Sequence, residues 1–513
     1  MKKREKSFVR GAFVLMFFGV LSKILGAIYR IPLTSIISPE GMGLYQMVFP
    51  VYSLLLTVSS SGLPSSISKL ISEAHAKNQY KQADKIMKLS FCLLFCFSVL
   101  CGLILVFGSK FFAFVQGNKN ASICYLGLAP AVVFVGFLAG FRGYFQGLQK
   151  MLPSAISGFI EQLFKLVFGL YLAKIFLAKG TSFAVLGAMI GISISEFVSF
   201  LFMFILYVIN KRHFKAVSAE NLTVLSNKKT IKNILSTSLF VTLGGLIAPI
   251  GMLIDSVLVI NILKRTSFSV SQATTLFGLE SGTVGSIINM PVILSLALAT
   301  AVLPCVSSKN ANGDTEGAKQ SASKALFLAI IVALPASFGC FALSFPIMKI
   351  LYGGSMSLEN IEIASQILEI ASISIFYLAL VQVSAGILQG ISKAMVPAFS
   401  LLIGLCVKIV LNLILISIPQ INILGVEIAN AVCYLIAFLI NLSVIRKNGL
   451  VSVSPRIFGV FLASCFVFLA KPIFEFLASC LNFYLSFMIC VLLVVVVYFV
   501  LVYFLCRKQF KNS

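Results

Sequence analysis

The amino-acid sequence predicts an all-α polytopic membrane protein, with about 14 transmembrane helices in two parallel-repeat six-helix lobes plus two C-terminal helices. Three observations lead there. Of the 513 residues, 59% are hydrophobic and only 11% charged, where soluble domains carry about a quarter charged. Mean hydropathy is +1.04, more apolar surface than a soluble fold can enclose. Apolar runs of bilayer-spanning length, about 20 residues, recur along the whole chain. This composition excludes a secreted disulfide scaffold, a disordered tail protein and a soluble enzyme.

The runs fall at 8–29, 42–63, 88–108, 122–146, 152–177, 182–209, 234–262, 276–304, 323–346, 363–388, 395–418, 423–445, 456–474 and 480–505. The last is free of charge from Glu475 to Arg507; Pro and Gly interrupt the first two and 276–304. The basic start, Met1-Lys2-Lys3-Arg4-Glu5-Lys6, resembles a signal peptide. Its apolar segment runs on past Leu25 with no small-residue cleavage site, so it reads as an uncleaved first span.

Net charge is +24. In a soluble protein that would suggest nucleic acid; here it reads as a topology signal. With the N-terminus inside, 28 Lys and Arg fall in inside loops, nine in outside loops and three (Lys23, Lys165, Lys408) within spans. That bias places both termini in the cytoplasm and supports an even number of crossings.

Two patterns recur. Gln146-Gly147-Leu148-Gln149-Lys150 matches Gln389-Gly390-Ile391-Ser392-Lys393 at an offset of 243, each followed by a proline, Pro153 and Pro397. Lys165 and Lys408 keep that offset. Leu63-Pro64 with Ser68-Lys69 matches Leu303-Pro304 with Ser308-Lys309, and Pro50 and Pro291 precede them at a similar offset. An even number of spans separates equivalent points, so the halves share one orientation. The N-terminal lobe is 1–210, a basic cytoplasmic linker 211–232, the C-terminal lobe 233–446, and two additional helices occupy 447–513.

A charge at bilayer depth is expensive and marks a functional candidate. Lys23 and Arg30, seven residues apart, share one face of the first span. They read as cations lining a cavity that grips an anionic head group; Arg30 at the outer interface by snorkelling is the alternative. Glu161 and Lys165 are spaced i, i+4: either a neutralising helix pair or a cavity charge and proton site. Lys408 has Gly404 where Lys165 has its acid, which favours a water-filled cavity. Glu196 and Asp255 are candidates for charge relay or a coupling cation, with structural hydrogen bonds as the alternative. Arg142 either touches a phosphate at the inner gate or anchors topology.

The 12 cysteines lie mostly in apolar runs and only two histidines occur, so neither a metal site nor a disulfide framework is expected. No Gly-rich phosphate loop is present, the loops are too short for an enzyme domain, and no cofactor is implied beyond coupling to Na+ or H+.

Three stretches carry a family resemblance: Leu21 to Arg30, Phe141 to Lys150 continuing to Glu161-Gln162, and Met290-Pro291 through Leu303-Pro304 to Ser307. With the arrangement of spans, the chain resembles the multidrug/oligosaccharidyl-lipid/polysaccharide exporter superfamily. Within it the chain looks like the stage V sporulation protein B type, which is similar to MurJ lipid II flippases. The resemblance implies a flippase without ATPase activity that moves an undecaprenyl-pyrophosphate-linked saccharide, lipid II foremost, for peptidoglycan or spore cortex. It would work by alternating access, with Lys23, Arg30, Arg142, Lys165 and Lys408 as diphosphate-binding candidates. Membrane lipids and cell-wall synthesis enzymes are the expected partners. A cation-coupled multidrug antiporter and a non-transporting scaffold of a wall-synthesis complex are the other readings.

Overall fold

The computed structural model describes residues 2–60, 62–76, 79–215, 226–266, 268–451 and 456–510. Residues 216–225 of the basic linker and both chain ends (Met1 and 511–513) lie outside the described residues. Among the described residues every regular element is helical. By packing the chain divides into one unit of 1–261 and 270–278 and another of 262–269 and 279–513.

The first unit begins with α1 (Lys2–Ser60), 59 residues long and so about 88 Å, nearly three bilayer cores. It is broken at Ser38 (φ 67°, ψ 167°), immediately before Pro39, and thereby supplies two crossings. The left-handed φ at Ser38 ends one helix, and Pro39, with φ already fixed, starts the next. Then come α2 (Leu63–Ala76), α3 (Tyr80–Val115), α4 (Ser122–Gly147), α5 (Leu152–Phe176), α6 (Thr181–Lys215), α7 (Asn227–Gly245), α8 (Ile247–Thr266) and α9 (Val270–Phe277). The span expected at 234–262 is thus two helices that part at Leu246, three residues before Pro249.

The central helix of this unit is α4, buried on nearly every side. Its Phe141 forms an aromatic cluster with α3 and α6, edge-to-face to Phe91 and tilted to Phe200 and Tyr207. Ile234 of α7 joins the same core as Leu63, Ile67, Leu138 and Met203. Polar bonds add to it. Gln116 Nε2 donates to Met47 O (2.7 Å) and to Ser256 Oγ (2.8 Å). Asn118 Nδ2 donates to Thr274 Oγ1 (2.9 Å), and Asn261 Nδ2 to Val115 O (2.8 Å). The sequence repeat puts span seven at the head of the second half, whereas its packing puts residues 227–261 with the first unit.

The second unit opens with a wide π-helical stretch, Gly278–Val284, most of which belongs to it. The helices α10 (Gly285–Ala311), α11 (Thr315–Ala342), α12 (Ser344–Tyr352), α13 (Leu358–Gly390), α14 (Met395–Leu415), α15 (Leu424–Lys447), α16 (Arg456–Cys465), α17 (Ala470–Cys480) and α18 (Phe483–Phe510) follow. Asp314 caps α11 through Gly317 N (2.8 Å). Here α13 is central, and Ser384, Ser400 and Asn441 bond α13, α14 and α15 together in its core (2.9–3.0 Å). The apolar side of α11 meets α16 to α18, where Tyr498 Oη donates to Ile331 O (2.8 Å).

The duplicated motif repeats as geometry. Gln149 (φ 58°) and Ser392 (φ 61°) both end their helix in the left-handed region. Lys150 N returns to Phe145 O (2.9 Å) and Lys393 N to Leu388 O (2.8 Å), the same C-terminal turn twice. Even the lysine tips repeat: Lys150 Nζ donates to Asn210 Oδ1 (2.7 Å) and Lys393 Nζ to Asn448 Oδ1 (2.9 Å).

Twelve stretches among the described residues are long and apolar enough to cross a membrane. The first of them, Phe17–His75, contains the break at Ser38, and α5 is not among the twelve. Splitting the one and adding the other brings the total to the fourteen expected from the sequence.

Candidate functional site

A cation placed on α4 has few ways to reach water, because that helix is packed on nearly all sides. A charge in such a place must be compensated. Arg142, with 26% of its side chain exposed, is held by α5. Its Nε donates to Ser157 Oγ (2.9 Å) and its Nη2 to Glu161 Oε2 (3.0 Å). The second terminal nitrogen, Nη1, has no protein acceptor among the described residues. Glu161 is fixed from the other side, since Gln162 Nε2 donates to its Oε1 (2.9 Å).

The i, i+4 neighbour of Glu161 takes a different partner. Lys165 Nζ lies 5.1 Å over the centroid of the Tyr29 ring and 6.0 Å from that of Phe49, a cation–π arrangement. Its acid is taken by Arg142, from another helix, so the neutralising-helix-pair reading of the spacing is replaced by an interhelical pair. Tyr29 reaches this place because Gly169 on α5 leaves room: a Cβ there would meet the Tyr29 hydroxyl at 2.8 Å. Glu196 on α6 is 6% exposed. It lies within Coulombic range of Glu161, Arg142 and Lys165, and of Tyr52 on α1. Its Oε2 is buried without a hydrogen-bond partner among the described residues.

Four of the eight sequence-expected residues, Arg142, Glu161, Lys165 and Glu196, therefore form one cluster within the first unit. Lys23 and Arg30 stand on α1 beside the stripe Ser22, Gly26 and Tyr29, which faces α5. A Cβ at Gly26 would lie 3.3 Å from Gln162 Oε1, and one at Gly158 would lie 3.9 Å from Ser22 Oγ and 4.0 Å from Arg142 Nη2. Lys23 is exposed and Arg30 half-buried, and neither makes an ion pair among the described residues. Asp255 is half-buried on α8, next to the Ser256 that Gln116 holds. Lys408 belongs to the second unit, 8% exposed on α14.

Some polar residues at depth escaped the sequence reading. Glu427 on α15 is 2% exposed and Asn412, one turn beyond Lys408, is fully buried. A charge inside an apolar run was the usable signal for Glu427. The roles of Tyr29, Tyr52 and Gln162 had none, since aromatic and amide residues are ordinary in such helices. Chemically, the cluster offers an anion two cations, one with an open nitrogen, while two carboxylates hold the local charge close to neutral.

The polysaccharide biosynthesis protein family matches residues 8–310, and the MatE family residues 281–414. Stage V sporulation protein B of Bacillus subtilis is 24% identical over 489 residues, 94% of this chain and 91% of that one. The lipid II flippase MurJ of the same organism is 26% identical over 466 residues, covering 86% and 83%. A solved structure of lipid II flippase MurJ in an inward closed conformation superposes with a TM-score of 0.69 at 16% identity, over 98% of this chain and 99% of that one. An inward-facing multidrug resistance MATE family transporter gives 0.66 at 14% identity, over 85% and 99%. The chain belongs to the polysaccharide biosynthesis protein family of the multidrug/oligosaccharidyl-lipid/polysaccharide exporter superfamily, as a multi-pass membrane protein like stage V sporulation protein B and MurJ.

Proposed function

We infer that the chain moves an undecaprenyl-pyrophosphate-linked saccharide from the inner to the outer leaflet of a bacterial plasma membrane, with lipid II as the leading cargo. The observation that carries this is Arg142: a guanidinium at the core of the first unit, fixed on two sides, with Nη1 open. A planar fork already oriented by Ser157 and Glu161 suits a diphosphate oxygen. Lys165, Lys23 and Arg30 add cations from α5 and α1. Relatives named as a lipid II flippase and a sporulation protein support the same class of cargo. No ATP-binding motif is available, so the membrane potential, about 2.3 kcal/mol per charge per 100 mV, or a cation gradient supplies the drive.

The test is leaflet-resolved lipid II in cells depleted of their own flippase and supplied with this chain. Lipid II is expected to return to the outer leaflet, and Lys23→Glu is expected to abolish the rescue at unchanged protein level. Lipid II trapped inside, with normal expression, would reject it as cargo. Growth of the Lys23→Glu strain would remove Lys23 from the site.

A second reading is a cation-coupled antiporter. The MatE match and the two carboxylates in the cluster favour it. Efflux of a cationic dye that survives Lys23→Ala and Arg30→Ala would select it.

A further inference from the structure

We propose that Glu196 is a proton-binding site whose proton binds cooperatively with an anion at Arg142. This rests on the anion-carrier reading and adds its coupling. The geometry is a buried carboxyl with an orphaned oxygen facing a cluster that already contains a satisfied acid. Glu196 is 6% exposed and its Oε2 has no hydrogen-bond partner among the described residues. Leaving a buried carboxylate oxygen unsatisfied is costly unless a cation occupies it.

The charged and titratable groups within Coulombic range of Glu196 are Arg142 from α4, Glu161 and Lys165 from α5, and Tyr52 from α1, while α3 meets α6 through the Phe91 ring against Tyr207. Arg142 is committed to Glu161 at 3.0 Å, and Lys165 leans on the Tyr29 ring. Neither cation bonds Glu196. A metal ion would need several oxygen ligands and would face two cations. A proton needs one oxygen and carries no ligand requirement.

The charge arithmetic couples the two events. With a proton on Glu196, Arg142, Lys165, Glu161 and Glu196 sum to one positive charge. Without it they sum to zero. An anion at Arg142 Nη1 therefore favours the protonated form, and by reciprocity the proton favours the anion. Loss of the proton releases a carboxylate that competes for Arg142 and Lys165 and expels the anion. The step is a proton transfer between water and a Glu196 carboxylate oxygen; no other bond forms or breaks.

The test uses the full-length protein in detergent with undecaprenyl pyrophosphate as the probe. Affinity is expected to rise as pH falls, by at most about tenfold per pH unit for one linked proton. Glu196→Gln should be as tight as the parent at low pH and keep only the pH dependence that the probe's own terminal phosphate brings. Equal pH dependence in parent and Glu196→Gln would overturn the proposal. So would affinity that follows sodium against choline and loses that response in Glu196→Gln, which would place a metal ion there. Infrared titration in the absence of the probe keeps the two readings apart. A titrating carboxylic-acid band missing in Glu196→Gln but kept in Glu161→Gln supports the proton site even where the probe does not bind. Failure of the probe to bind the parent at any pH would reject the diphosphate reading and the cooperativity with it. If Glu196→Gln does not fold, proton uptake by the parent on probe addition decides: an uptake supports the proposal and none overturns it.

Discussion

Arg142 serves two ends, and they can be separated. As a structural residue it joins α4 to α5 through Ser157 and Glu161. Replacing it with Gln strands Glu161 and is expected to cost about 1.5–3 kcal/mol, the range for hydrogen bonds to charged groups, read as a fall in Tm. Pairing Arg142→Gln with Glu161→Gln removes the stranded charge. That double variant should recover most of the stability but none of the flippase rescue; rescue at parental level would reduce Arg142 to a strut. Glu161→Gln alone frees the guanidinium and is expected to tighten undecaprenyl pyrophosphate binding, measured by titration. Part of this was legible beforehand. An Arg, two Glu and a Lys within apolar runs are visible in any hydropathy trace. Their pairing was not, because spacing reveals only neighbours on one helix, and the partner of Glu161 sits 19 residues away on α4.

At the level of elements, the duplication works as a repeated crossing. Gly143 and Gly147 let α4 approach α2, where a Cβ would meet Pro64 O at 2.7 Å and Ser68 O at 2.8 Å. Gly386 and Gly390 do the same for α13 against α10, at Ala299 O (2.5 Å) and Leu303 O (3.1 Å). Small residues four apart are how membrane helices come into close contact, since lipid supplies no apolar drive between them. Gly147→Leu and Gly390→Leu are each expected to cost about 1–3 kcal/mol by overpacking. Gly244→Ala on α7, where a Cβ meets nothing within 4 Å, should leave Tm unchanged. Equal behaviour of all three would remove the crossings as the cause. The sequence pair Gln-Gly-x-x-Lys already marked these crossings, because turn and contact both depend on local residues. The packing of α7 to α9 with the first unit was not legible. It rests on apolar contact such as that of Ile234 and on bonds such as Asn118 to Thr274 and Asn261 to Val115 O, between residues far apart in the chain.

For the whole molecule, everything downstream depends on whether α5 crosses the membrane. It is not among the twelve stretches counted above, and Glu161, Lys165 and Lys174 sit in its 25 residues. Yet most of that charge is answered inside the protein: Glu161 by Arg142 and Lys165 by the Tyr29 ring. A helix whose charges are satisfied by neighbours pays far less to enter the bilayer than its composition suggests. Parity gives a second argument. Were α5 to stay on one side, every later loop would change face, and the basic segment from Lys211 to Lys232 would lie outside, against the charge bias of the rest of the chain. We therefore expect an alkaline phosphatase fusion after Lys179 to be active, while fusions after Lys150 and at the C-terminus are silent. A silent fusion at Lys179 together with an active one at the C-terminus would show that α5 does not cross and would reverse the orientation of the second unit. Arg142→Gln in the same fusion series tests the cause: if α5 enters because its charge is paired, the signal after Lys179 should fall, whereas an unchanged signal would assign insertion to the apolar residues alone.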